Sequence, residues 1–451
     1  MTQTILLDLL EKKEFKAIRA VLNVMNPVDL AALLKDLPAP DLAMAFRLID
    51  KERAAETFSY MDPDQQEALL NIFTNAEIKD ILAEMYTDDT VDLLEDMPAN
   101  VVNRILDNLD RDTRRVINTI LRYPEDSAGS IMTTEYVDLR PNMTVSDALQ
   151  KIRRVGIDKE TIYTCYVTQS GKLIGVVTAK DLLTSDSDRK ISDLMETNIL
   201  AVSTNEDKEQ VAEMFNKYGV IALPVVDSEF CIVGIVTFDD AFEVLTDEAT
   251  EDIAKMAAVT PNDTPYLKTG VFSLFAARIP WLLLLMISAT VTGWIITSFE
   301  KALAASVALT AFIPMLMDTG GNSGSQASVT VIRALSLGQI QFSDFFRVMR
   351  KELFVSLLCG LTLAVANFFK IWLVDISLLH TSGLTLSIAA VVCLTLAVTV
   401  VIAKFIGCTL PILAKKVGFD PAVMASPFIT TIVDAISLVV YFNFASAMLG
   451  I

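Results

Sequence analysis

From Val271 onward the sequence holds five apolar segments, near residues 272–297, 302–330, 353–375, 384–410 and 422–449. Each is long enough to cross a hydrocarbon layer of roughly 30 Å as a helix. In lipid every backbone polar group must be satisfied within the protein, so this part is expected to be a bundle of five spanning helices, residues 271–451. Basic residues cluster in the loop between the second and third segments (Arg333, Arg347, Arg350, Lys351) and before the fifth (Lys415, Lys416). The opposite loops carry Glu300 beside Lys301, and Asp375 with His380. By the bias of Lys and Arg toward the cytoplasm, residues 1–270 are expected inside a cytoplasmic membrane and the C-terminus outside. The opening MTQTILLDLLEKKEF agrees: it reads as an amphipathic helix with acids where a signal peptide would be basic.

Charge separates the same two regions. The spanning region has ten Lys/Arg and seven Asp/Glu, leaving 27 basic and 49 acidic residues in positions 1–270, a net of −22. A surface of that sign repels nucleic acid and favours cations. The five cysteines lack CxxC spacing and there is one histidine, so a disulfide framework, a zinc site and a His-clustered metal site are not expected. No nucleophile–base pair, HExxH or P-loop marks an enzyme.

Within the acidic region, residues 1–126 repeat short apolar-periodic segments opened by Asn26-Pro27, Leu37-Pro38, Asp62-Pro63, Met97-Pro98 and Asp110, where Pro and Asp suit a helix start. The pattern predicts an α-helical superhelical stack. It is most acidic at TDDTVDLLEDM, where Asp88, Asp89, Asp92, Glu95 and Asp96 crowd little more than two turns and call for a counter-cation or a solvated face. From Ser127 short β-branched strands alternate with helices twice, over 127–186 and 187–241, each unit closing Gly-x-x-Thr-x-x-Asp: Gly175, Thr178, Asp181 and Gly234, Thr237, Asp240. The order resembles a tandem pair of α/β CBS domains. That resemblance permits an adenine nucleotide without requiring one. Residues 242–270 read as a mostly helical connecting (plug) segment with Asp247, Glu248, Glu251 and Asp252 at three- and four-residue intervals.

Two segments of the spanning region are unlike lipid-facing helices. PMLMDTGGNSGSQ interrupts the second with Asp318, Gly320, Gly321, Asn322 and Gln326, which is tolerated at depth only against protein or water. Close helix packing through small residues is the competing account of the glycines. In the fifth, Ser426, Thr430 and Asp434 recur at four-residue intervals and form one polar stripe. A carboxylate at that depth costs about 2.5–3.5 kcal/mol, so the stripe belongs at a bundle interior or a wet pore, with hydroxyls and carbonyls binding an ion's waters.

Taken in order, the acidic helical domain, CBS pair, acidic connector (EATEDIAKM) and five spans, with PMLMDTGGNSGSQ and SPFITTIVD, resemble the MgtE family of magnesium channels over essentially the whole chain. The resemblance implies a Mg²⁺-selective homodimeric importer in the lipid bilayer, closed when cytosolic Mg²⁺ binds its acidic domains. It places Asp434 at the selective site with Thr430 and Ser426 along the same wall, and Asp420 at the pore mouth. It carries the cytosolic sensor onto Asp227, Glu229, Asp239 and Asp263; Thr260 stands at a connector position that is acidic in the family. Asp88, Asp89, Asp92, Asp247, Glu251 and Asp252 are sensor candidates from their clustering alone. The residues themselves leave open a carrier for Mn²⁺ or Co²⁺ and a membrane-anchored nucleotide sensor.

Overall fold

The structure is a computed structural model of the full chain. It describes residues 3–35, 37–262, 264, 266–305, 307–378, 384–424 and 426–450, with backbone alone at 301, 302, 305 and 426. The chain forms two compact units, Met1–Thr246 and Asp247–Ile451.

The first unit opens with ten short helices among the described residues, from Gln3–Glu11 to Arg111–Ile120. The start signals act as expected where side chains can reach. Asn26 accepts the N–H of Val28, and Asp110 accepts those of Asp112 and Thr113. Thr74 and Glu77 add a reciprocal cap to Asn75–Leu82. Helices pack on their next-but-one neighbours: Pro27–Leu34 on Lys51–Ser59, and Ala39–Phe46 on Pro63–Ile72. That is how elements of eight to ten residues, too short to persist alone, share one core. Phe46 meets Phe58 and Phe73 there, with ring centroids 6.1 and 5.6 Å apart. The acidic run forms helix α1 (Thr87–Asp96).

The repeat that follows builds two matching sheets, β1 (Asp138–Leu139), β2 (Thr164–Gln169) and β3 (Lys172–Thr178), then β4 (Val202–Ser203), β5 (Ala222–Val226) and β6 (Ile232–Thr237). In each the first pair is parallel and the second antiparallel. The glycine of each closing motif lets another segment cross its strand. A Cβ on Gly234 would stand 2.7 Å from the Thr133 carbonyl oxygen, and one on Gly175 would strike Met195. Thr133 indeed bridges Ile235, and Glu196 bridges Val176, so the segment leading into each repeat is stitched to a sheet other than its own. Thr178 and Asp181 cap one another, as the motif predicts.

The connector differs from its expected form. Helix α2 runs from Phe238 to Met256, beginning inside the second repeat and ending well before 270. Ala258 takes a positive φ of 55° and Pro261 follows, so the helix cannot continue.

In the second unit the long helices are α3 (Val271–Ser298), α4 (Ile313–Ser336), α5 (Phe345–Lys370), α6 (Leu386–Val417) and α7 (Ser426–Leu449). Among the described residues four stretches are long and apolar enough to cross a membrane, containing α3, α5, α6 and α7. The fifth helix, α4, has 24 residues but is diluted by its glycines and amides. It starts at Ile313, not near 302, because Val307–Phe312 winds as a tighter 3₁₀ turn ahead of Pro314. Helix α5 begins eight residues before the expected 353 and runs on as wide π turns over Ile371–Leu378, where Lys370 pairs with Asp375 at 2.9 Å.

Candidate functional site: an acidic cleft and an intramembrane polar stripe

In the first unit α1 faces the start of α2 across a cleft of about 760 Å³, lined by Asp88, Asp89, Asp92, Glu160, Asp239, Asp240 and Glu243 among others. Thr87 pins this edge of the helical stack to the first repeat by donating to Glu135 at 2.6 Å. On the other wall Thr237 donates to Asp239 at 2.6 Å and to Asp240 at 2.5 Å, so the strand-to-helix turn aims two carboxylates at α1.

Burial and neighbouring like charges favour the protonated form of several of these carboxyls. Burial, then the charge of Asp240, pushes Asp89 and Asp92 up to about 7 and Asp88 well above the ordinary carboxylate range. Burial, then Asp239 and Asp240, lifts Glu160 to about 8; burial lifts Asp240 itself to about 6. Glu160 Oε2 is buried without a hydrogen-bond partner among the described residues. The cleft is therefore electrostatically unfavourable on its own and is relieved by protons or by a cation. Among the described residues no three Asp, Glu, His or Cys side chains converge closely enough to cage a bare ion. The carboxylates ring a wide space instead, which fits Mg²⁺ that keeps several of its waters better than it fits the all-oxygen cage of Ca²⁺.

Of the sequence-derived sensor residues, the structure brings Asp88, Asp89, Asp92 and Asp239 together here. Asp227 and Glu229 do not line the cleft. Asp227 shapes the β5–β6 turn by accepting the N–H groups of Glu229 and Cys231, both at 2.9 Å. Asp263 lies outside the described residues. Sequence reasoning assigned Asp240 a cap and passed over Glu160. The Thr237–Asp240 spacing could have flagged the former, but nothing local marks Glu160, which reaches the cleft only through the fold.

Asp247, Glu251 and Asp252 lie on the part of α2 that belongs to the second unit. Glu251 and Asp420 both pair with Lys255, at 2.7 and 2.8 Å. Asp420 also accepts the Ala422 N–H at 2.7 Å, ahead of α7. Asp252 accepts from Ser336 at the end of α4 at 3.5 Å, and burial, then the charge of Asp420, raises it above the usual carboxylate range. Met256 packs on Ile332 and Ala422. The connecting helix thus ends against the termini of α4 and α7.

Helix α4 lies against α6 and α7, its backbone almost touching that of α6. A Cβ on Gly407 would stand 2.2 Å from the Gly324 carbonyl oxygen, and one on Gly321 would stand 2.6 Å from Thr430 Cγ2. Gly320 and Gly321 are thus buried packing positions, while Asp318, Asn322 and Gln326 occupy the exposed face of the same helix. Asn322 donates to Asp318 at 3.0 Å and holds it in place. Across the groove Thr430 lies 3.4 Å from Ser325 through their hydroxyls. Asp434 is half-buried, its Oδ1 has no hydrogen-bond partner among the described residues, and the charge acting on it is that of Asp318. The backbone of Ser426 opens α7, and its side chain is outside the described set. A pair the sequence reading passed over lies deeper in the bundle: Lys404 on α6, with 8% of its side chain exposed, stands 4.0 Å from Glu352 on α5.

Known proteins match in the same order. Residues 25–126 match the MgtE intracellular N domain, 128–188 and 191–247 the CBS domain, and 313–444 the family described as divalent cation transporter. The magnesium transporter MgtE of Thermus thermophilus is 37% identical over 447 residues, 98% of this chain and 97% of that protein. That of Bacillus subtilis is 31% identical, covering 98% and 96%. Among solved structures, the cytosolic domain of the Mg²⁺ channel MgtE in complex with ATP is 36% identical with a TM-score of 0.51, covering 54% of this chain and 99% of its own. The soluble part of a magnesium transporter is 30% identical with a TM-score of 0.52, covering 55% and 98%. With end-to-end similarity and all three family modules matched in order, the chain belongs to the MgtE family of magnesium transporters.

Proposed function

We propose that this protein imports Mg²⁺ across the cytoplasmic membrane as a homodimer and is closed by Mg²⁺ bound in its acidic cytosolic cleft. The observation that carries the reading is the face formed by Asp318, Asn322 and Gln326 with the unpartnered oxygen of Asp434. Left against lipid, those groups would cost several kcal/mol. Covered by the same face of a second copy about a two-fold axis, they line a wet path instead. Asp434 attracts the ion, Asp318 adds its field, and Thr430, Ser426, Asn322 and Gln326 bind the ion's waters. Asp420 stands at the mouth, where Lys255 of the connecting helix engages it.

The basic loops at one end support an N-terminus in the cytoplasm and a C-terminus outside. When cytosolic Mg²⁺ is scarce, the cleft carboxylates repel and the cytosolic unit loosens. When it is plentiful, hydrated ions bridge α1 to the start of α2, and the far end of that helix is held against α4 and α7. Mg²⁺ favours closure by its differential affinity for the closed state. Asp227, Glu229 and Asp263 serve as further bridging acids in this scheme, and the CBS pair takes an adenine nucleotide, a reading supported by the ATP complex of the related cytosolic domain. The test is Mg²⁺ flux into liposomes bearing the purified full chain while Mg²⁺ on the cytosolic-domain side is varied. Flux falling as that Mg²⁺ rises is the expected result; flux indifferent to it removes the sensor, and no flux at any level removes the pathway.

A further inference from the structure

The basic end of the spanning bundle holds a cavity of about 270 Å³, separate from the polar stripe. Its apolar walls include Leu335, Ile340, Phe342 and Ile412, its charged groups are Lys415 and Lys416, and among the described residues no acid lines it. Lys415 donates to the Leu335 carbonyl at 2.9 Å, closing the end of α4. Lys416 sits 3.8 Å from the centroid of the Phe342 ring and makes none of the ion pairs found among the described residues. The nearby acid, Asp344, is engaged by Arg347 at 3.0 Å and by the Gln341 N–H at 3.2 Å. At the opposite end Lys370 is neutralised by Asp375, 2.9 Å away.

Helix length sets the cavity's depth. Helix α6 has 32 residues and is therefore about 48 Å long, against roughly 30 Å of hydrocarbon. Lys415 and Lys416 are in its last turn, so the cavity stands at headgroup level. Phe346, Val417 and Phe419 are exposed beside it, at 81%, 71% and 66%, an apolar rim suited to acyl chains. A helix C-terminus accounts for a lysine near its carbonyls. It does not account for a cation stacked on an aromatic ring over an acid-free, apolar-walled cavity.

We infer that this cavity binds the phosphate headgroup of an anionic phospholipid, with Lys416 and Lys415 on the phosphate, Phe342 and Ile412 against the glycerol, and the acyl chains over Phe346 and Val417. Cations at a bilayer surface each contribute roughly a five-fold gain in affinity for anionic lipid. The test is native mass spectrometry of the detergent-purified full chain titrated with phosphatidylglycerol or phosphatidylcholine. The wild type is expected to retain phosphatidylglycerol preferentially. K416Q should weaken that retention about five-fold while leaving phosphatidylcholine unchanged, and K370Q, at the paired opposite end, should leave both unchanged. K416Q keeps the Lys415 cap on α4, and its thermal unfolding is to be compared with wild type so that a loss by misfolding is recognised. Equal retention of the two lipids overturns the assignment, as does undiminished phosphatidylglycerol in a folded K416Q protein. Displacement of the lipid by millimolar inorganic phosphate also overturns it, because the occupant is then a soluble anion.

Discussion

The cleft and the stripe use the same functional group for opposite ends. In the cleft twelve carboxylates share one space, and burial together with their mutual repulsion raises the values of Asp89 and Glu160. Such a site has much to gain from a cation. The stripe has two carboxylates per chain, Asp318 and Asp434, spaced by amides and hydroxyls. A conduction path needs an ion to enter and leave again, so a low charge density with hydrated contacts suits it. Geometry follows the same division. Side chains from four stretches of the sequence, within 52–66, 84–96, 160 and 239–243, converge in the cleft. The stripe lies on α4 and α7, which pack closely through Gly321 and Gly324.

The sharpest way to break this comparison is Asp434→Ala. If the stripe is the selective path, the substitution should lower Mg²⁺ flux into liposomes at least about ten-fold at low Mg²⁺, as expected from losing a charge at depth. The same variant should leave Mg²⁺-induced protection of the cytosolic unit from protease unchanged. Loss of both responses would mean that the two sites are not separate.

The cleft supplies a smaller and opposite effect. Its acids have values raised from near 4 to about 7 for Asp89 and Asp92 and about 8 for Glu160. A carboxyl raised on folding keeps its stabilising proton at low pH and loses it as pH climbs through the folded value. Without Mg²⁺, thermal stability should therefore fall between pH 4 and 8. Mg²⁺ must displace those protons, so its affinity for the cleft should rise from pH 6 to 8, by up to about ten-fold per pH unit for each proton displaced. Titration calorimetry in buffers of different ionisation enthalpy measures the protons released. Asp89→Asn with Asp240→Asn should raise the Mg²⁺-free melting temperature, flatten its pH dependence and leave flux poorly suppressed by Mg²⁺. Proton release that persists in the double variant would place the sensor elsewhere.

What could be read from the sequence was whatever is periodic or local. The apolar lengths mark the spans, Pro and Asp at their starts mark the short helices, and Thr178 with Asp181 marks a strand-to-helix turn. The four-residue interval from Thr430 to Asp434 places both on one helix face. Two kinds of information were out of reach. Glu160 and Lys404 matter through neighbours far along the chain, Asp240 and Glu352, and no spacing rule connects such pairs. Helix ends depend on local backbone geometry: the 3₁₀ turn before Pro314 moved the start of α4, and the positive φ at Ala258 stopped α2 short of 270. The glycines of α4 pack one face of the helix, while the amides between them occupy the other.

The smallest expected effect probes the joint between the two functions. Lys255 holds Asp420 at 2.8 Å and Glu251 at 2.7 Å, with about a quarter of its side chain and a third of that of Asp420 exposed. A partly exposed pair of this kind contributes up to about 1 kcal/mol, far less than a buried one. The burial of Lys255 opposes its charge, but the two carboxylates outweigh it and hold the ammonium protonated through any physiological pH, so the contact is not itself a pH switch. If it helps the closed arrangement, Lys255→Met should raise the Mg²⁺ concentration that half-suppresses flux by about two- to five-fold, without altering selectivity. Asp420→Asn should do the same, and the double variant should be no worse than either single one, because both remove one interaction. Additive shifts would instead mean that Asp420 acts on the ion directly at the mouth of the path, while Lys255 acts only through the helix it belongs to.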